Sequence, residues 1–175
     1  MEDGMSTTSI SDALQKTSNA FVADPEKARA KGVPATARLL EGLRFEVTGP
    51  NGELALTDMP AAMGGAASAP APGWLLRGAI ASCTATVIAM RAARIGVHLR
   101  TLEITVESQS DQRGMLGLDE SVSAAFATMR IRVRIGADNV APDDLRALVT
   151  WGDVHSPVAC TVRESPVTSV EVEVI

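Results

Sequence analysis

The chain has 175 residues, of which 46% are apolar and 21% charged, and its 16 basic and 21 acidic residues give a formal net charge of −5. This is the composition of a globular domain with its own core, not of a disordered or fibrous chain. The acidic balance argues against a surface for nucleic acid or anionic membranes, because both need a basic patch. Three Phe, two Trp and no Tyr leave little with which to stack bases.

The sequence shows no evident signal for secretion or membrane insertion. Two cysteines are too few for the disulfide framework of a secreted protein. The start, Met1–Gly4, is acidic and no apolar segment follows it, which predicts that there is no signal peptide. The uncharged stretch 78–90 is shorter than the roughly 20 residues of a membrane-spanning helix. We therefore expect a cytoplasmic protein with reduced thiols and no membrane partner.

The first 37 residues are predicted to form a helical extension ahead of the main domain at 38–175. Ile10, Leu14 and Phe21 recur near helical spacing. The sequence Asp24–Pro25–Glu26 is typical of a second helix start.

From Leu43 the apolar residues recur at every second position. Leu43, Phe45 and Val47 alternate, and Pro50–Asn51–Gly52 is a tight-turn signal, so a hairpin into residues 53–56 is predicted. The stretch 63–72 is too rich in Gly, Ala and Pro for a regular element, and it is either a connector or a loop that lines a site.

A long helix is predicted from Gly73 to Arg94, with Gly96 as its terminator. It is apolar nearly all round, and such a helix is expected to be buried on every side. In a domain of this size, we expect a sheet to cover one face and a partner subunit to cover another.

Three alternating segments, 102–106, 129–135 and 170–174, are predicted to be strands with one apolar and one charged face. Because an arginine row would be stabilised between two glutamate rows, we expect these strands to be neighbours. A further helix is predicted from Pro142, with Pro157 marking its end. The order of elements indicates an α+β fold.

Few residues offer chemistry. Cys83 lies in the middle of the apolar helix, where it is either a small buried hydrophobic residue or a reactive thiol. A zinc site is a competing interpretation that the spacing disfavours, because structural zinc ligands come in close pairs. The four residues available for it are Cys83, His98, His155 and Cys160.

Two motifs resemble those of one known family. Residues 72–83, Pro-Gly-Trp-Leu-Leu-Arg-Gly-Ala-Ile-Ala-Ser-Cys, resemble the Pro-Glu-Glu-Leu-Leu-Ala-Ala-Ala-x-x-x-Cys helix of the OsmC/Ohr superfamily of osmotically inducible and organic hydroperoxide resistance proteins. Residues 156–163, Ser-Pro-Val-Ala-Cys-Thr-Val-Arg, are similar to its second motif, Cys-Pro-Val-Ser-x-Thr-Leu. Asp111–Gly114 occupies the family's Asp-x-x-Gly turn. The resemblance covers residues 38–175.

The resemblance implies an OsmC-like α+β fold, with antiparallel sheets packed on a buried central helix and two chains intertwined as a homodimer. It also implies thiol-dependent reduction of small organic hydroperoxides, with Cys83 as the peroxidatic thiol. In the family, a second cysteine then closes a disulfide, and an external dithiol such as dihydrolipoamide restores both thiols. No bound cofactor or metal is implied.

The sequence departs from the family pattern at three places. The glutamate at the start of the family's helix falls near Gly73 or Trp74, the activating arginine is missing from the loop 57–72, and Ser156 replaces the second cysteine. Cys160 lies four residues past Ser156, so in a helix it would project from the same face. It is then a candidate for a displaced resolving thiol, provided that its Cα lies within about 7 Å of that of Cys83.

The sequence is compatible with three functions. The first is a hydroperoxide reductase that uses Cys83 and Cys160. The second is a catalytically degenerate dimer that binds a small apolar ligand, for which Trp74, Met63 and Ser156 are the candidate substrate-binding residues. In the third, Cys83 serves core packing alone.

Overall fold

Helices and strands follow one another in an irregular order, which is the predicted α+β arrangement. The computed structural model describes residues 7–175, so the acidic start at 1–4 lies outside the described residues. The elements are α1 (Thr7–Ala23), β1 (Thr36–Glu41), β2 (Arg44–Thr48), β3 (Leu54–Thr57), α2 (Pro72–Arg94), β4 (Leu99–Gln109), α3 (Gln112–Met115), β5 (Thr128–Ala137), α4 (Pro142–Val154) and α5 (Pro157–Glu164).

The described chain divides into two compact units. We call residues 7–11, 80–106 and 129–175 the core unit, and residues 12–79 and 107–128 the hairpin unit. The predicted boundary between an extension at 1–37 and a domain at 38–175 is a different division, and it stays a prediction.

The hairpin unit contains the three-stranded antiparallel sheet β1-β2-β3. Thr48 pairs with Leu54 at the closed end of the predicted hairpin, and the register runs to Phe45 opposite Thr57. Gly52 in the turn has φ +88°, a backbone conformation that glycine adopts at little cost. The hairpin prediction is confirmed. Strand β1 was not predicted, and the structure adds it antiparallel to β2.

The core unit is built on one stripe of α2. Its members recur every four residues and are buried: Ile80, Thr84, Ile88 and Ala92. Ile88 and Ala92 pack with Leu148 of α4 in the centre of the core. Half-buried apolar residues of β4, β5 and their surroundings complete the cluster, namely Val97, Leu99, Leu102, Ile104, Val133, Ile135 and Val149.

Gly152 of α4 allows this helix to approach α2 closely. A Cβ built on Gly152 would overlap Cγ1 of Ile88. Both residues are buried, so a side chain at 152 could be accommodated only if the core moved. The contact therefore couples the position of α4 to that of α2.

Strands β4 and β5 form the second sheet. Ion pairs join Arg100 with Asp138 at 3.1 Å and Glu103 with Arg134 at 3.4 Å, so residue numbers rise along one strand as they fall along the other. The strands are thus antiparallel, and the predicted pairing of a glutamate row with an arginine row is confirmed on this side.

The predicted third strand is wrong. Residues 165–175 form no regular element, and Val170, Val172 and Val174 are 80–90% exposed. Alternation describes which face of a strand would be buried once it is paired, but it supplies no pairing partner. In this chain the segment hydrogen-bonds to neither edge of the β4-β5 sheet.

Helix α2 was expected to be buried on every side, and within one chain it is not. Trp74 is 52% and Met90 38% exposed, while the stripe that contains Ile88 is buried.

By length and composition the 23-residue helix could cross a membrane, although its uncharged stretch is shorter. Its stripe serves as the core of the unit, which is the role of an apolar helix in a soluble fold. It ends at Arg94, and the predicted terminator Gly96 follows two residues later with φ +73°.

Residues 7–23 form the predicted first helix. The second helix start yields only one 3₁₀ turn, Pro25–Ala28, and the Asp24 side chain makes no capping hydrogen bond there.

The contact between Gly152 and Ile88 can be tested by a double-mutant cycle. We expect Gly152→Ala to lower the free energy of unfolding by about 1–3 kcal/mol, because the new methyl group overlaps Ile88. In an Ile88→Ala background, where Cγ1 is gone, the same change should cost less. Urea unfolding at matched protein concentration measures both values.

Gly32→Ala is the control, because a Cβ there meets nothing within 4 Å. Its effect is expected to stay within about 0.5 kcal/mol. Equal costs of Gly152→Ala in the two backgrounds would contradict the assigned contact.

Candidate functional site

Cys83 lies on α2 beside the buried stripe. It is half-buried and its thiol is free. The next residue, Thr84, is fully buried and donates a hydrogen bond from Oγ1 to Oγ of Ser156 at 3.2 Å. Ser156 is also fully buried and precedes α5. The hydrogen bond therefore joins the turn of α2 that carries Cys83 to the start of α5.

Cys160 lies one helical turn beyond Ser156. Its N–H donates to the Ser156 carbonyl oxygen at 2.9 Å, which confirms the predicted helical spacing. The thiol is free and lies 3.4 Å from the Val154 carbonyl oxygen. Both candidate thiols thus belong to the core unit, on the two helices that the Thr84–Ser156 hydrogen bond connects.

A cation contacts the second thiol. Nη2 of Arg163 donates to Sγ of Cys160 at 3.4 Å and to the Asp153 carbonyl oxygen at 2.7 Å. Nη1 donates to the Asp153 carboxylate at 3.1 Å. The Cys160 sulfur, and after it Asp153, raises the pKa of Arg163. The contact of this arginine was not predicted from the sequence, although its spacing of three from Cys160 within a helix places the two side chains on one face.

His155 packs against Trp151. Its ring stacks on the Trp151 ring with centroids 4.0 Å apart, and its Nδ1 lies 2.7 Å from the Trp151 carbonyl oxygen. The guanidinium carbon of Arg91 lies 4.9 Å from the centroid of the Trp151 ring. Among the described residues, no group of three or more His, Cys, Asp and Glu side chains is arranged to hold a metal ion.

The hairpin unit contains a pocket of about 380 Å³ at the start of α2. Trp74, a predicted ligand contact, lines it together with Arg77 and Phe126. Arg77 donates from Nη1 to Oγ of Ser108 at 3.1 Å. Met63 is not one of its lining residues, and Ser156 belongs to the core unit.

A buried carboxylate organises the small-residue loop that precedes α2. Asp58 is 1% exposed and accepts hydrogen bonds from the N–H groups of Met59, Ala66 and Ser68 and from the Ser68 hydroxyl, at 2.7–3.2 Å. Gly65 is required beside it, because a Cβ there would overlap the Met59 carbonyl oxygen. The Ser68 N–H, with these other donors, holds the pKa of the Asp58 carboxyl below its ordinary value, although burial opposes this. The loop is irregular, as predicted, but it is held together internally.

A match to a sequence model of a protein family identifies the family of this chain. The model described as OsmC-like protein matches residues 65–171, more than half of the chain, including Cys83, Ser156 and Cys160. The chain belongs to the OsmC-like protein family. The predicted resemblance is thereby confirmed.

Solved structures of OsmC-like proteins share the fold at low sequence identity. An OsmC-like protein from Mycoplasma pneumoniae is 15% identical with a TM-score of 0.65, over 77% of this chain and 89% of that one. The organic hydroperoxide resistance protein OsmC from Legionella pneumophila is 18% identical with a TM-score of 0.58, over 77% and 91%. The organic hydroperoxide resistance protein OhrB of Bacillus subtilis is 18% identical with a TM-score of 0.52, over 76% and 91%. No curated protein matches the sequence. At these identities the likeness establishes the fold alone.

The departures of this OsmC-like chain from the family motifs have local structural counterparts. Gly73, near the position of the family's glutamate, faces Phe126, whose Cζ would lie 3.0 Å from a Cβ at 73. Ser156, at the position of the family's second cysteine, is held by Thr84. The loop 57–72 contains no arginine, and Arg163 of α5 contacts Cys160.

The role of Asp58 predicts a pH-dependent stability. Because its pKa is lower in the folded chain than in the unfolded one, its contribution is present above about pH 4 and is lost as the pH falls through the lowered value. We expect Asp58→Asn to have a lower Tm than the parent at pH 7, with a gap that narrows in acid. Asp12→Asn, on the exposed side of α1, should leave the Tm unchanged throughout. A gap that is equally wide at pH 3 would contradict the prediction.

The contact between Arg163 and Cys160 predicts the reactivity of this thiol. A guanidinium beside a sulfur stabilises the negative charge of the attacking thiolate. In a Cys83→Ser background at pH 7, we expect Arg163→Met to slow alkylation of Cys160 by iodoacetamide roughly three- to tenfold. Arg163→Lys should keep most of the rate.

Arg146→Met is the matched control for this measurement. Arg146 is an exposed arginine of α4 that pairs with Asp143, so its loss should not change the alkylation rate. Equal rates for the parent and Arg163→Met would show that the guanidinium has no influence on Cys160.

Proposed function

We propose that the protein reduces small organic hydroperoxides by a thiol-dependent reaction, with Cys83 as the peroxidatic and Cys160 as the resolving cysteine. The observation that carries this proposal is the Thr84–Ser156 hydrogen bond, which joins the turn that holds Cys83 to the helix that holds Cys160. Membership of the OsmC-like family and the contact between Arg163 and Cys160 support it further.

The proposed reaction has three steps. The Cys83 thiolate attacks the terminal oxygen of the hydroperoxide, the O–O bond breaks, and the alkoxide takes a proton to leave as an alcohol while Cys83 becomes a sulfenic acid. The Cys160 thiolate then attacks the Cys83 sulfur, the S–O bond breaks as the disulfide forms, and the leaving hydroxide takes a proton, which the Cys160 thiol had released, to become water. An external dithiol reduces the disulfide and is itself oxidised to a disulfide, which returns both thiols without a bound cofactor.

We further propose that the working form is a cytoplasmic homodimer. The apolar residues of α2 outside its buried stripe, such as Leu76 and Met90, are partly exposed in a single chain. A second copy that covers them would give this helix the burial that its composition predicts.

Turnover by the wild type and two serine variants tests the reaction. With cumene hydroperoxide and dihydrolipoamide, we expect Cys83→Ser to lower the rate about a hundredfold or more, because the attacking sulfur is lost. Cys160→Ser should still consume one equivalent of peroxide, since it retains Cys83, but should not form the disulfide. Equal rates for the wild type and Cys83→Ser would end the enzymatic proposal.

Mass spectrometry of peroxide-treated protein without reductant tests the resolving step. A peptide that joins Cys83 to Cys160 is expected in the wild type. If Cys83 is oxidised but the linked peptide does not form, Cys160 is not the resolving thiol.

The pocket at Trp74 favours a second candidate function, the binding of a small ligand without catalysis. The pocket is preformed and mostly apolar, and the family's helix-start glutamate is missing beside it. A native mass spectrum of freshly purified protein would reveal a ligand that stays bound. Full peroxidase turnover together with an empty pocket would favour the first function.

A further inference from the structure

The pocket of the hairpin unit is lined by apolar and polar side chains, and its arginine contacts a neutral hydroxyl. Trp74 and Phe126 supply aromatic walls, and Met59 and Met115 add flexible thioether side chains. Its volume of about 380 Å³ lies in the range of small-molecule sites. Apolar walls of this kind bind the body of an organic molecule.

The two charged groups that line the pocket differ in their partners. Among the described residues, its charged lining groups are Arg77 and Asp111. Asp111 accepts hydrogen bonds from Arg113, which donates from Nη2 at 2.6 Å and from Nε at 3.1 Å and also pairs with Asp119 at 3.7 Å. Arg77 contacts a neutral partner, the Ser108 hydroxyl. The guanidinium has five N–H donors, so most of them remain for a ligand.

The residue at position 73 shapes the wall above this arginine. A Cβ on Gly73 would lie 3.0 Å from Cζ of Phe126 and 3.7 Å from Nη1 of Arg77. Glycine therefore lets the Phe126 ring approach the start of α2 and leaves the space beside the Arg77 guanidinium open.

We propose that this pocket binds an amphipathic organic carboxylate, with its apolar body between Trp74 and Phe126 and its carboxylate on Arg77. A carboxylate accepts two parallel hydrogen bonds from a guanidinium, and an apolar surrounding strengthens that pair. This inference rests on the ligand-binding candidate function, to which it adds the charge and chemical class of the ligand, and it does not involve either thiol.

The test compares two ligands of one shape by calorimetry. 2-Naphthoate and 2-naphthamide share the aromatic body, and only the first is an anion. We expect wild-type protein to bind 2-naphthoate about tenfold or more tightly than 2-naphthamide, because a hydrogen bond to a charged group is stronger than one to a neutral group. Raising the salt concentration should weaken the binding of 2-naphthoate and leave that of 2-naphthamide nearly unchanged.

Substitutions of arginines test whether the difference in affinity between the two ligands arises in the pocket. Arg77→Met should reduce the affinity for 2-naphthoate to that for 2-naphthamide, and Arg77→Lys should keep part of the difference. Arg91→Met is the matched control, because Arg91 lies on the same helix but over Trp151 in the core unit. Circular dichroism checks that each variant is folded, and the salt dependence of the wild type tests the proposal even if Arg77→Met does not fold.

The outcomes distinguish a failure of the anionic ligand class from a failure of ligand binding itself. Equal affinities for the two ligands would overturn the anionic class and leave the ligand-binding function standing. No binding of either ligand would overturn both. An equal loss in Arg77→Met and Arg91→Met would overturn the assignment of the anion to Arg77.

Discussion

The hydroxyl groups of Thr84 and Ser156 are buried from water and form a hydrogen bond with each other. A buried hydroxyl without a hydrogen-bond partner costs about 1–3 kcal/mol, so removal of either hydroxyl is expected to lower the free energy of unfolding. This constraint fixes the start of α5 against the middle of α2. The placement of Cys160, and of the Arg163 guanidinium on its sulfur, follows from it because both lie within the next two turns of the same helix.

The two units carry different chemistries. The core unit holds the two thiols, the arginine beside Cys160 and the packing around Ile88. The hairpin unit holds a loop organised by a buried carboxylate and a pocket whose arginine contacts a neutral hydroxyl. No residue is shared between these two sets.

The parts of the fold that the sequence predicts are those with a local signal. The apolar periodicity of α2, the alternation of β4 and β5 and the turn at Pro50–Gly52 each need only neighbouring residues. Strand β1 has no such alternation and depends on β2, while the alternating segment 170–174 has the signal but no partner. Strand pairing depends on residues distant in sequence, and it determines whether β1 and the segment 170–174 form strands.

The same distinction holds for the candidate site. The family motifs indicate Cys83 and Ser156, and helical spacing links Cys160 to Arg163. The contact of Arg77 with Ser108 spans 31 positions, and the four hydrogen bonds of Asp58 exist only once the loop has folded. A single sequence lists the thiols, but it does not reveal that the hydrogen-bond partner of Arg77 is a neutral hydroxyl.

Gly73 has a consequence for substitutions at the start of α2. A Cβ at 73 would lie 3.0 Å from Cζ of Phe126, so the ring must give by a few tenths of an ångström before a larger residue fits there. The effects of substitutions at 73 and 126 on stability are therefore expected to be coupled, because a smaller side chain at 126 makes room for one at 73.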